Sequence, residues 1–266
     1  IASRHARRGA FLLSLFYIGP GIGIFATGLL VPLLLDHMGP GSWPSAWLAM
    51  AGVALAFTLA LLLARGESVG VSRARQEGRT PLKPMLVLLA AYLVFGAGYI
   101  GYTTFMIAWV QTSGGSAPLQ ALFWSMIGVG AILSPWAFSP VIGRYRGGRA
   151  FAALAAATAA SAALPLLSIA TPLLLLSAFV FGGALTSTVA STTAFVRNNY
   201  PATQLPGAIG AMTTAFGLGQ VLGPVATGHI TDLIGGLAAG LWVSVGLLAL
   251  CALTALLQRD FGRVAD

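Results

Sequence analysis

Eight runs of apolar residues, each long enough to cross a bilayer as helix, constrain this chain more than any other feature. They cover roughly 10–35, 43–64, 85–110, 119–142, 150–170, 172–196, 207–230 and 237–258, and none holds a Lys, Arg or Glu. A hydrocarbon core about 30 Å thick takes about 20 residues of helix. Inside it every backbone N–H and C=O must be satisfied within the segment, which makes the α-helix the natural form for such runs. Only 8% of the 266 residues are charged, against roughly 25% in soluble domains, too few to cover a water-soluble surface. The expected fold is therefore all-α, a polytopic membrane protein of eight transmembrane helices.

The cations decide how the runs are threaded. All fourteen Lys and Arg fall at 4–8, 65–83, 144–149, Arg197 and the tail from Arg259. The alternate gaps, "DHMGPGSWPS", "QTSGGSAP", "TP" and "TDLIGG", hold none. Eight crossings put every cation on one side, which the positive-inside rule makes cytoplasmic, with both ends of the chain there. The net charge of +8 is thus accounted for by membrane sidedness. A nucleic-acid partner would need a basic face on a soluble domain. The weakest boundary, "ATP" at 170–172, is settled the same way: Arg149 and Arg197 must share a side, so the chain between them crosses twice, with a tight turn expected at Thr171-Pro172.

The polar, basic stretch 65–84 is the one sizeable gap and reads as a flexible linker. It divides the chain into two spans at 1–64, a six-span block at 85–258 and a short tail at 259–266. The expected location is the plasma membrane.

Two spans share a signature. Span one carries Gly19, Pro20 and Gly23 in "GPGIGIFATG", and span seven carries Gly223 and Pro224 in "GPVATG". Proline removes a backbone donor and kinks a helix, and glycine lets a neighbouring helix approach closely. The two stand six spans apart by ordinal number, the interval expected of two parallel six-helix halves.

Uncharged polar stripes run along three spans. Span three places Tyr92, Tyr99, Thr103 and Met106 on one face with Tyr102 beside it; span six offers Thr188 with Thr192 adjacent; span seven aligns Thr213, Gly217, Gln220 and Pro224. Such faces suit either helix adhesion by hydroxyls or a wet cavity that hydrogen-bonds a solute. Tyr99, Tyr102, Thr103, Trp124, Thr188, Thr192 and Gln220 are the candidate cavity residues. No ionisable group lies in mid-span, where such groups usually mark ion coupling. His229 and Asp232, at the neutral end of span seven, read either as helix-end residues or as carriers of a coupling proton; the other readings are coupling residues in a missing segment or transport without a proton. Cys251 stands alone in an apolar run and reads as a small core residue. Zincin, nucleophile-elbow and phosphate-loop motifs are all absent, and the three His, one Cys and six acids show no ligand spacing. No enzyme activity, cofactor or metal is expected.

With these features in place, the chain resembles the major facilitator superfamily. The closer likeness is to its YbfB/YjiJ-like branch, carried by "IGPGIGIFATGLLVP" (18–32), "SWPSAWL" (42–48), "FGAGYIGYTTF" (95–105) and "GQVLGPVATGHITD" (219–232). The resemblance implies that the chain corresponds to helices five to twelve of a twelve-helix transporter and acts with four preceding helices. It also implies a cytoplasmic motif between the second and third helices of each half, whose image here is "GRYRGGR". Arg144, Gly147, Gly148 and Arg149 keep its basic, turning character, but Gly143 leaves the acidic position without a counterpart. The function so implied is secondary active transport of a small solute by alternating access, with the bilayer and that solute as partners. The alternative, from another class, is a non-transporting membrane assembly or anchoring protein.

Overall fold

A computed structural model describes residues 11–12, 14–63 and 80–261. Its helices are α1 (Ile18–Met38), α2 (Trp43–Leu63), α3 (Leu86–Thr112), α4 (Ala117–Arg144), α5 (Arg149–Leu167), α6 (Thr171–Asn199), α7 (Leu205–Ile234) and α8 (Leu237–Leu256). Each falls on one of the expected apolar runs, and each spanning segment is long and apolar enough to cross a membrane. The chain is an all-α polytopic membrane protein. Most of the linker expected at 65–84, up to residue 79, and the tail beyond 261 lie outside the described residues.

Local chemistry sets the helix ends. Ser116 caps α4 by accepting a hydrogen bond from the Leu119 N–H. α7 stops at Gly235, whose positive φ of 78° closes the last turn. The turn expected at Thr171-Pro172 lies slightly earlier, at Ser168–Ala170, and both residues begin α6 instead. A proline there loses nothing, because first-turn N–H groups have no partner within the helix.

The two Gly-Pro pairs behave differently. Pro20 would have to donate to the Phe16 carbonyl four residues back and cannot, and its ring crowds that oxygen. The helix breaks one turn ahead of it: Tyr17 is a turn residue (φ −82°, ψ 3°) whose N–H reaches back three residues to Ser14. Pro224 sits inside α7, which runs on through it.

Lipid supplies no hydrophobic force between helices, so close packing must hold the bundle together. Glycine provides it at three seams. A Cβ on Gly219 or Gly223 of α7 would collide with the Leu93 or Ala97 carbonyl of α3. One on Gly182 of α6 or Gly130 of α4 would strike the opposite backbone, at Ile127 or Phe179. On α1 the close approaches to α4 are made by Gly21 and Gly28, whereas Cβ atoms on Gly19 and Gly23 would meet nothing within 4 Å. The packing role expected of Gly19 and Gly23 finds no partner among the described residues. Through these seams α3 packs on α7, α6 on α4, and α1 on α4, while α3 also packs on α8 and α6 on α5. The resulting core is aromatic, with Tyr92, Phe95 and Phe151 buried together. Helix α2 touches little besides α1, and Val53, Leu55, Phe57 and Leu61 stand exposed along it.

Up-and-down threading brings the described cations to one end. Lys83 precedes α3, Arg144 ends α4, Arg149 opens α5, Arg197 lies in the last turn of α6 and Arg259 follows α8. The opposite turns, at 39–42, 113–116, 168–170 and 235–236, carry no charge.

Candidate functional site

Four elements enclose a cavity of about 230 Å³. Tyr17 enters from the break before α1, Tyr92 from α3, Thr192 and Thr193 from α6, and Met212, Thr213 and Phe216 from α7. Its depth follows from the helix rise of about 1.5 Å per residue. Tyr92 lies two turns into α3 and Thr193 two turns before the end of α6, so the cavity sits about 10 Å inside the basic end. The break at Tyr17 aims a phenol across it: the Tyr17 and Thr193 hydroxyls pair at 3.0 Å. This pair is the polar tie between α1 and α6.

An aromatic column leads from the cavity to mid-membrane. Phe216 stacks on Tyr92 at 4.6 Å and on Tyr99 at 5.4 Å, with interplanar angles of 15° and 4°. Phe95 lies against all three rings. The column ends at the Gln220 amide, which donates to the Tyr99 hydroxyl at 2.7 Å. Tyr99 and Gln220 both fall at the midpoints of their helices, and both are half-exposed. An amide is costly to present to hydrocarbon, and Gln220 offsets part of that cost through its bond to Tyr99.

The candidate residues divide accordingly. Thr192 lines the cavity, and Tyr99 and Gln220 form the pair above it. Tyr102 of α3 is fully buried against the ring of Phe181 from α6. Thr188 is buried and returns its hydroxyl to the Ala184 carbonyl, and Thr103 bonds the carbonyls of its own preceding turn. Trp124 lies elsewhere, in a cleft of about 440 Å³ between α1 and α4, with Thr27, Gly28 and Gln120. His229 and Asp232 are exposed and stand about 20 Å or more along α7 from Phe216, so the structure does not bring them to the cavity. Gly223 and Pro224 lie in the α3–α7 seam just beyond Gln220.

Sequence reasoning missed Tyr17, Thr193 and Phe216 as site residues. Phe216 was within reach, one turn before Gln220 on the stripe already drawn along span seven. Tyr17 had a subtler signal, its position one turn ahead of Pro20. Thr193 follows Thr192 directly and is set apart only by the Tyr17 hydroxyl that reaches it from the turn before α1.

The family model described as "Uncharacterised MFS-type transporter YbfB" matches residues 1–256. The chain belongs to this family. No curated protein and no solved structure matches it. Membership of this MFS-type family makes the chain a transporter-family protein, and the stripes on spans three, six and seven are the surfaces on which a solute path can be sought.

Proposed function

We propose that this YbfB-type chain works in a secondary active transporter that moves a small neutral or amphipathic solute by alternating access. The cavity between α1, α3, α6 and α7 is its solute site. One observation carries the reading: a half-exposed tyrosine–glutamine pair stands at mid-membrane and joins that cavity through a stacked aromatic column. Rings offer broad faces to an apolar or planar portion of a solute, and Thr192, Thr213 and Gln220 offer neutral hydrogen-bonding groups. The cavity lining carries no fixed charge, which favours uncharged cargo.

In this reading α1 and α2 belong to a second bundle that rocks against α3–α8 about the membrane midplane. The exposed apolar length of α2 is the surface where that bundle's remaining helices would pack. The Tyr17–Thr193 pair then acts as a tie between bundles, made when they close at the basic end and broken when they part. The basic end faces the cytoplasm, following the positive-inside rule, and the membrane is the plasma membrane.

The test is solute transport by the protein against a panel of neutral and amphipathic compounds, with and without a pH gradient. A solute whose movement falls in Gln220→Ala and Thr192→Val, at unchanged membrane insertion, supports the reading. Transport of every handled solute at the unsubstituted rate in both variants contradicts it.

A further inference from the structure

The stretch "GRYRGGR" between α4 and α5 is left unexplained by the solute path, and the structure gives it a partner. Gly147 and Gly148 lie directly on the segment that follows α8. A Cβ on Gly147 would stand 3.0 Å from the Asp260 nitrogen, and one on Gly148 would collide with the Ala255 carbonyl. The Gly148 N–H donates to the Gln258 carbonyl at 2.9 Å. Gln258 is itself buried; its amide donates to the Pro84 carbonyl and accepts from the Leu88 N–H. Asn199 completes the frame, donating to the Arg146 carbonyl and accepting from the Phe261 N–H. Two buried amides thus fix the arginine loop and the tail to one another.

Between them opens a cleft of about 530 Å³ lined by Arg144, Arg146, Arg149 and Arg259, with Tyr145 and Asp260. All four arginines are exposed. Four guanidinium groups against one carboxylate leave a strong positive excess, and guanidinium matches phosphate geometry through paired N–H donors. The cleft lies where α4 ends and α5 begins, at the basic end of the spans, which in a bilayer meets the headgroups. Leu256, which also lines it, and neighbouring Leu257 are 55% and 72% exposed. An occupant with a phosphate head and an acyl tail can lay its tail along those leucines, which a free phosphate cannot exploit.

We infer that this cleft is a binding site for the phosphate headgroup of an anionic phospholipid, clamped between the α4–α5 loop and the segment after α8. The inference needs the chain to lie in a membrane but is independent of what it transports.

The test is native mass spectrometry of the purified chain titrated with phosphatidylglycerol or phosphatidylcholine, repeated in millimolar inorganic phosphate. Phosphatidylglycerol binds preferentially and survives the phosphate. Each arginine removed, in Arg146→Gln and in Arg146→Gln with Arg259→Gln, weakens it about fivefold, the change expected of about 1 kcal/mol per cation at an anionic surface. Asp260→Asn, which leaves the clamp intact and removes the opposing charge, strengthens it. Equal binding of both lipids, displacement by inorganic phosphate, or no change in Asp260→Asn overturns the inference, the second outcome marking a site for free anions.

Discussion

At the scale of single residues, hydroxyl and amide groups make the ties across the bundle, because the middles of the spans hold no charge. Removing the Tyr17–Thr193 contact tests the tie between α1 and α6. Tyr17→Phe and Thr193→Val should each destabilise the fold slightly, and a double-mutant cycle in detergent unfolding should return a coupling of about 0.6 kcal/mol, the usual worth of such a bond between membrane helices. Zero coupling would remove the tie. Gln220→Ala should leave stability within about 1 kcal/mol while lowering transport, because its partner Tyr99 is half-exposed and finds water once the amide is gone. Outside the spans, the Tyr200 phenol donates to the Pro81 carbonyl at 2.7 Å, and burial pushes it up from 10.0 to about 12. Since the folded value is the higher one, this tie is fully present below about pH 10 and is lost as pH rises through about 12. The difference in tyrosinate absorbance between the protein and its Tyr200→Phe variant should titrate well above 10; a midpoint near 10 would place that hydroxyl in water.

At the scale of elements, glycine seams separate what could be read in advance from what could not. All eight helices were legible because lipid enforces one rule, long uncharged runs, and the runs are bounded by arginines or by Gly- and Pro-rich turns. Kinks and packing glycines were less legible. Gly19, Gly21, Gly23 and Gly28 look alike in sequence, and only the side from which α4 approaches selects Gly21 and Gly28. Gly182→Ala should therefore cost about 1–3 kcal/mol, as over-packing of a filled seam does, since its Cβ meets the Ile127 carbonyl. Gly23→Ala meets open space and should be neutral or stabilising by up to about 1 kcal/mol from helix propensity. Unfolding of the two variants in mixed micelles gives the comparison, and equal effects would refute the seam assignment. The site was half legible for the same reason. The stripe through Thr213 and Gln220 follows from helical periodicity, but the burial of Tyr102 depends on where Phe181 of α6 meets α3, and Trp124 faces α1 because that helix packs on α4.

At the scale of the whole molecule, the account rests on eight crossings that gather the cations at one end and place the cavity about 10 Å inside it. The cation pattern made this arrangement readable before any contact was known, because an odd number of crossings would scatter Arg149, Arg197 and Arg259 across both faces. That Tyr17 reaches the cavity was not readable, since it depends on the break before α1. The most direct measurement is two-sided labelling with a membrane-impermeant thiol reagent in intact cells and inverted vesicles. The lone cysteine is first replaced, in Cys251→Ala, and single cysteines are then introduced by Arg146→Cys and Ser113→Cys. The account predicts that position 146 labels only in inverted vesicles and position 113 only in intact cells. Labelling of both positions from the same side would contradict it.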